Sequence, residues 1–252
     1  MRSIDLNCDL GDGSPAESTQ TIEDLLSLVS SANIACGLHA GDPSTVAATV
    51  RLAVQKGVAI GAHPGFADRE GRGRRSMEVT PPQIYDLVLY QLGAVGAFAR
   101  AEGARLRHVK PHGALYNMAA KDRGLADAIA AAVKAFDPTL RLVGPGGSEL
   151  LRAADSAGLP FASEVFADRR YEPDASRTPR GQAGALIEDE AVAVAQALRL
   201  ITEGRVRAVD GRDIGILADT LCLHGDSAHA VSLARSLRTA LHAAGITVKA
   251  LS

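Results

Sequence analysis

The chain has 252 residues and a formal net charge of -2, with 27 basic against 29 acidic side chains and no tryptophan. That length is enough to bury a substantial core, and the near balance of charge argues against nucleic-acid binding and against attraction to an anionic membrane surface. No stretch approaches the ~20 apolar residues needed to span a bilayer, and Met1-Arg2-Ser3-Ile4-Asp5 lacks the apolar run of a signal peptide. A cytoplasmic location is the expectation.

In chain order, a short apolar or β-branched run, then a cluster of Gly, His or Asp, then a helix-period segment recurs about seven times. The first strand is expected over residues 2–8, leading into Asp9, and the second over 31–37, leading into His39. Asp42 is placed to cap a helix over 43–56 with Pro43 at its first position and Val46, Val50, Ala53 and Val54 on one face. A third strand over 57–62 runs into His63, and a long glycine- and arginine-rich loop follows over 64–79. Thr80 and Gln83 have capping-box spacing ahead of a helix whose stripe is Ile84, Leu87, Val88, Gln91, Leu92 and Val95. Strand four, 106–110, enters Lys110-Pro111-His112, and the next helix face is Leu125, Ala128, Ile129, Ala132, Val133 and Phe136. Strand five, 140–144, opens into Gly144-Pro145-Gly146-Gly147-Ser148. This turn either exposes backbone donors to an anion or needs no ligand, and it lacks the lysine of a Walker loop. Strand six, 161–167, precedes a second long loop over 168–186. Strand seven, 213–223, leads into His224 and Asp226, then a helix with Leu233, Leu237, Ala240, Leu241 and Ala244 on one face, and a weak eighth strand over 246–250.

Strict alternation without an antiparallel hairpin signal implies a parallel sheet covered by helices, read as one domain over 1–252. A doubly wound open sheet competes with a closed barrel. Its Gly-x-Gly-x-x-Gly fingerprint is missing after strand one, and a barrel would gather every strand-end polar residue at one mouth, so the barrel is favoured.

Six residues follow buried strands: Asp9, His39, His63, Lys110, His112 and His224, with Asp226 beside the last. One such histidine is more often a hydrogen-bonded structural residue, but four at matching strand ends point to chemistry. Histidine titrates near neutrality, Asp9 can act as a base or fix a tautomer, and Lys110 supplies a cation for a carboxylate or a developing oxyanion. His108 is expected on the opposite side of its strand, and His229 and His242 stay unassigned. A divalent metal on Asp9, His39 and His63 is the alternative, weakened by the lack of a short His-x-x-x-His spacing. Cys8, Cys36 and Cys222 are far apart and read as small buried thiols. The guanidinium groups of the two long loops (Arg69, Arg72, Arg74, Arg75, Arg169, Arg170, Arg177 and Arg180) suit an anionic substrate or a partner.

Longer motifs carry a resemblance. Asn7-Cys8-Asp9-Leu10-Gly11, Ser30 to Gly37 with His39-Ala40-Gly41-Asp42-Pro43, and Gly61-Ala62-His63-Pro64-Gly65-Phe66 resemble the LamB/YcsF family. So do Asp68-Arg69-Glu70-Gly71 with Gly73-Arg74-Arg75, the run His108 to Asn117, Glu164 to Arg169, and Leu221 to Asp226. The likeness covers nearly the whole chain. It implies a seven-stranded parallel β/α barrel of the glycoside hydrolase/deacetylase-like type. It also implies ATP-driven opening of the lactam of 5-oxo-L-proline to L-glutamate, by the first of three 5-oxoprolinase components working with partner subunits B and C. The same motifs place substrate contacts at Asn7, Asn33, Arg69, Arg74, Arg75, Asp168, Arg169 and Asp226 beside the six strand-end residues. Two stretches depart from the usual family pattern. Gly11-Asp12-Gly13-Ser14-Pro15 stands where Gly-Glu-Gly and an aromatic are usual, and Ala175 follows Asp174 where glycine is usual. A metal-dependent amidohydrolase or carbohydrate deacetylase, and a binding subunit without turnover, remain as other readings.

Overall fold

The computed structural model describes residues 2–12, 18–224 and 229–251. The elements run β1 (Ser3–Leu10), α1 (Thr19–Leu26), β2 (Ser31–Ala35), α2 (Pro43–Lys56), β3 (Ala59–His63), α3 (Pro81–Ala101), β4 (Leu106–Val109), α4 (Gly113–Ala119) and α5 (Arg123–Phe136). They continue β5 (Arg141–Pro145), α6 (Glu149–Ala157), β6 (Phe161–Phe166), α7 (Glu190–Glu203), β7 (Arg205–Arg207), β8 (Asp213–Gly215), β9 (Thr220–His224), α8 (Ala230–Ala243) and β10 (Thr247–Val248). Strands β1 to β6 and β9 pair in parallel and close through β1 on β9, giving the expected seven-stranded barrel. The short β10 extends the edge of β1 at Ser3 and Ile4.

Helix starts follow the capping logic of the sequence. Asp42 accepts from the backbone N–H groups of Ser44 at 2.8 Å and Thr45 at 2.9 Å, Pro43 opens α2, and Gly57 ends it at φ +68°. The Gln83 side chain accepts from the Thr80 backbone N–H at 2.9 Å at the head of α3. Two expected core positions fall outside the core: Phe136 is 36% exposed at the end of α5, and Ala244 is exposed just past α8. The periodic stripe continues one turn beyond the surface it packs against.

One expected strand is two. Residues 213–223 divide into β8, which pairs antiparallel with β7, and β9, which enters the barrel. An Asp-Gly step makes the hairpin: Asp210 accepts from the Arg212 N–H at 3.1 Å and Gly211 adopts φ +86°. The sequence carried that signal, but the two apolar stretches Ile214 to Ala218 and Leu221 to Leu223, separated only by Asp219 and Thr220, masked the break after Gly215.

Alternation along the strands sorts the two faces. Ile4, Leu6, Cys8 and Leu10 of β1 and Ala32 and Ile34 of β2 are buried in the apolar shell shared with the helices. Leucine- and isoleucine-sized side chains buried there each contribute roughly 1.5–3 kcal/mol. The alternate residues Asp5, Asn7, Asp9, Ser31 and Asn33 face the barrel interior, which is therefore polar. Among the described residues, no helix is long and apolar enough to cross a membrane.

Candidate active site

The interior is a stack of hydrogen bonds that ends on two charges. At its base Asp5 accepts from the hydroxyls of Ser30 and Ser31, each at 2.7 Å, and of Thr220 at 2.6 Å. Burial raises the Asp5 pKa, and those hydroxyls oppose the rise. One level up, the Asn7 amide donates to Thr220 Oγ1 at 2.6 Å and accepts from Asn33 Nδ2 at 2.7 Å. Asn33 Nδ2 also donates to Asp9 Oδ1 at 2.8 Å. Asn7 and Asn33 are 2% and 0% exposed and do not line the cavity, so they hold Asp9 rather than reach a ligand.

Lys110 crosses the interior at the top of this stack. Its Nζ lies 2.8 Å from Asp9 Oδ1, 3.1 Å from Asn7 Oδ1, 2.7 Å from Glu164 Oε1 and 3.0 Å from Cys222 Sγ. Burial alone would lower its pKa. The carboxylates of Asp9 and Glu164, with the Cys222 sulfur, more than offset this and hold it well above the ordinary lysine value. The side chain is a fixed, permanently charged ammonium.

His108 corrects an expectation. It lies two residues before Lys110, so a strand puts both on the same face. Its Nε2 is 2.7 Å from Asn33 Oδ1, which makes Nε2 the protonated nitrogen. Burial pushes the imidazole down to about 3. Gly61 on β3 is where the ring passes, since a Cβ there would overlap it. His108 supports Asn33, and through it Asp9.

His39, His63 and His112 meet at the mouth. His63 Nδ1 sits 2.6 Å from the Lys110 carbonyl and His112 Nε2 sits 2.8 Å from the Arg72 carbonyl, so both nitrogens carry protons. Their other nitrogens, His63 Nε2 and His112 Nδ1, face each other at 2.9 Å, with Asp9 Oδ2 at 3.3 Å from His63 Nε2. Two imidazole lone pairs at that distance repel unless one proton or one cation lies between them. Burial pushes His112 down to about 3, with neighbouring His63 adding to the shift.

His39 stacks on His112 with ring centroids 4.1 Å apart and planes at 5°, and burial pushes it down to about 2. The atoms that come within 4.8 Å of one another as possible metal ligands belong to Asp9, His63 and His112. His112 therefore takes the place expected for His39. Residues 64–79 close over this cluster: a Cβ at Gly65 or Gly73 would press on His39. Gln91 of α3 pins the loop, donating to the Gly65 carbonyl and accepting from its N–H, both at 2.9 Å.

A cavity of about 870 Å³ opens above, lined by Asp9, His39, His63, Lys110 and His112. The expected arginines divide. Arg74 and Arg169 line it. Arg69 instead donates to the carbonyls of Gly37 at 2.6 Å and Gly41 at 2.7 Å, and Arg75 pairs with Asp68 and Glu70; neither lines the cavity. Asp168 lies beside the cavity wall without lining it. The backbone of His224 pairs with Asp9 across β9 and β1. Its side chain, Asp226 and the unusual Gly13-Ser14-Pro15 lie outside the described residues. In the Gly144–Ser148 turn the Ser148 N–H goes to the Pro145 carbonyl at 3.2 Å, and beyond it Glu149 N–H goes to the Ala120 carbonyl at 3.0 Å and Leu151 N–H to Ser148 Oγ at 3.4 Å. Gly146, Gly147 and Ser148 line the cavity.

Glu164, Cys222, Tyr116 and Phe166 were not expected at the site. Tyr116 donates to Glu164 Oε2 at 2.8 Å, so Glu164 bridges Tyr116 and Lys110 while 1% exposed. An acid inside the apolar run Phe161 to Phe166 was the available signal.

The LamB/YcsF family model matches residues 4–252. The A component of 5-oxoprolinase from Methylococcus capsulatus is 60% identical over 250 residues, covering 99% of this chain and 96% of that protein. The solved lactam utilization protein from Thermus thermophilus is 47% identical with a TM-score of 0.92, covering 99% of this chain and 100% of that one. A family 4 carbohydrate esterase from Streptomyces lividans, at 12% identity and a TM-score of 0.50 over 100% of this chain and 93% of that one, shares the fold alone. A seven-stranded barrel carrying these motifs from end to end makes the chain a member of the LamB/YcsF family.

Proposed function

We propose that this chain opens the lactam ring of 5-oxo-L-proline to give L-glutamate, as one component of an ATP-dependent assembly with partner subunits B and C. The observation that carries the reading is the Asp9, His63 and His112 cluster facing a cavity beside the buried Lys110 ammonium. Close relatives named for 5-oxoproline and for lactam use support it.

Ring opening adds water to the carbonyl carbon, breaks the C–N bond and protonates the nitrogen that leaves. Asp9 Oδ2 and His63 Nε2, 3.3 Å apart on the cavity wall, are placed for one of them to take the proton of a water bound in the cavity beside them. The Lys110 charge, held behind Asp9, favours the negative charge that develops on the carbonyl oxygen. His63 and His112 share a hydrogen-bond contact through which the proton can return to the ring nitrogen. An unstrained lactam resists water, and ATP would supply a phosphoryl group to activate its carbonyl oxygen. Gly146, Gly147 and Ser148 of the Gly144–Ser148 turn line the same cavity, and no step on these residues runs through ATP.

A second reading has one observation behind it. The facing lone pairs of His63 and His112, each fixed by a carbonyl on the other ring nitrogen, with Asp9 alongside, are a donor set that suits a divalent ion. Such an ion would polarise the carbonyl or a bound water. The Lys110 ammonium opposes it, lying 2.8 Å from the other oxygen of Asp9.

The test is glutamate release from 5-oxo-L-proline by the chain with and without its partner subunits, with and without ATP, and after chelator treatment. The reading expects release only from the full set with ATP and Mg²⁺, and no loss when this chain is treated with chelator and freed of it before assay. ATP-independent hydrolysis abolished by chelator would establish the metal reading instead.

A further inference from the structure

Residues 168–186 cross one wall of the cavity and bring three guanidinium groups to it, those of Arg169, Arg177 and Arg180. Arg177 is held flat, its Cζ 4.2 Å from the Phe166 ring centroid and 4.7 Å from that of Tyr116, and it donates to Asn117 Oδ1 at 2.7 Å. Among the described residues it makes no ion pair: Asp9 and Glu164 are engaged by Lys110, and Glu172 and Asp174 of its own loop line the cavity without pairing with it. Beside it Arg169 and Thr178 line the same cavity while only 6% and 3% exposed. Arg169 donates to the Thr178 carbonyl at 2.6 Å, but Arg169 Nε and Thr178 Oγ1 have no hydrogen-bond partner among the described residues. Burial, then the neighbouring Arg177 and Arg180, push the Arg169 guanidinium down to about 10. Glu172 and Asp174 line the same wall, yet the buried guanidinium of Arg169 keeps an open Nε–H beside Arg177 and the open Thr178 hydroxyl, a grouping that an anion would satisfy.

The anion is small and close to the chemistry. Lys110 Nζ lies 5.9 Å from the centroid of the same Phe166 ring on which Arg177 stacks. Lys110 and Arg177 thus both lie within about 6 Å of one aromatic ring.

We propose that Arg177, backed by Arg169 and Thr178, is a carboxylate subsite, and that the chain selects small cyclic amides bearing a carboxylate about one ring's width from the carbonyl. This rests on the lactam reading above. A guanidinium offers a carboxylate two parallel N–H groups, whereas Lys110 offers a point charge already held by four neighbours.

Binding to the full-length chain, wild type and Arg177→Gln, is measured for 5-oxo-L-proline, 2-pyrrolidinone, cyclopentanecarboxylate and inorganic phosphate. The wild type is expected to bind 5-oxo-L-proline at least about tenfold more tightly than 2-pyrrolidinone, which lacks the carboxylate. Arg177→Gln is expected to lose that margin for both carboxylates and keep its affinity for 2-pyrrolidinone. Arg177→Lys, which keeps the charge without the fork, is expected to lose part of it. The wild-type comparison alone decides the matter if Arg177→Gln does not fold. A wild type that does not distinguish 5-oxo-L-proline from 2-pyrrolidinone, or binds neither carboxylate, overturns the subsite. So does a variant with unchanged affinity for 5-oxo-L-proline. Tighter binding of phosphate than of either carboxylate, lost in Arg177→Gln, overturns the carboxylate assignment. Equal wild-type affinity for cyclopentanecarboxylate and 5-oxo-L-proline leaves the subsite standing and removes the lactam reading.

Discussion

Lys110 holds together two carboxylates, Asp9 and Glu164, that would otherwise face each other across the interior. Its replacement therefore does two things. Lys110→Met is expected to lose turnover and also to lower stability by about 3–5 kcal/mol, because it leaves buried charge without a partner. Adding Glu164→Gln should restore part of the stability and none of the turnover, read by urea denaturation beside the assay. A double variant no more stable than the single one would mean that the carboxylates do not repel. Asp9, Lys110, His63 and His112 were legible in the sequence because each ends or follows a strand. Glu164 and Cys222 were not, since their link to Lys110 runs across the barrel and leaves no spacing along the chain. His108 was misread, although its two-residue offset from Lys110 already fixed the shared face.

The loops over the mouth are made by backbone conformation as much as by side chains. In the turn ahead of Arg177, Ala175 adopts φ +66°, the left-handed region, and the Glu172 N–H donates to the Ser176 carbonyl at 2.7 Å. An alanine in that region costs about 1–2 kcal/mol. Ala175→Gly is expected to raise stability by roughly 1 kcal/mol, partly offset by the freedom that glycine gains when unfolded. A lowered melting temperature would contradict the strain. Gly61→Ala is the opposite case. A Cβ there meets the His108 ring, so the substitution is expected to cost about 1–3 kcal/mol or more. A Gly61→Ala variant as stable as wild type would show that the ring can move. Regular elements were readable from periodicity and caps. The β7–β8 hairpin was not, because the mostly apolar stretch 214–223 outweighed the Asp210-Gly211 turn.

For the whole molecule, a polar barrel interior ties stability to pH. Burial keeps His39 and His108 neutral, at about 2 and about 3, whereas the unfolded chain protonates them near 6.5. Below about pH 6.5 the unfolded state binds more protons, so stability falls as pH drops towards 3, by roughly 2 kcal/mol per histidine at pH 5. Asp5, with its raised value, acts in the other direction and favours the native state in acid. Urea denaturation should show a clear loss from pH 7.5 to 5.0 and a shallower slope in His108→Gln. Equal stability at both pH values would contradict neutral buried histidines. The closed barrel was legible because every strand delivers polar residues to one mouth. What fills the interior was not legible, since the strands read as apolar runs with single polar residues whose partners lie on other strands.

Lactam opening by the Asp9, His63 and His112 cluster is tested most directly by ATP-dependent glutamate release from 5-oxo-L-proline, measured on the assembled enzyme with wild-type chain and with His63→Ala side by side. The predicted result is release by the wild type and a loss of about 100-fold or more in a variant that remains folded and assembled. Undiminished release by His63→Ala, or none from a wild-type assembly under conditions where a homologous set is active, would contradict it.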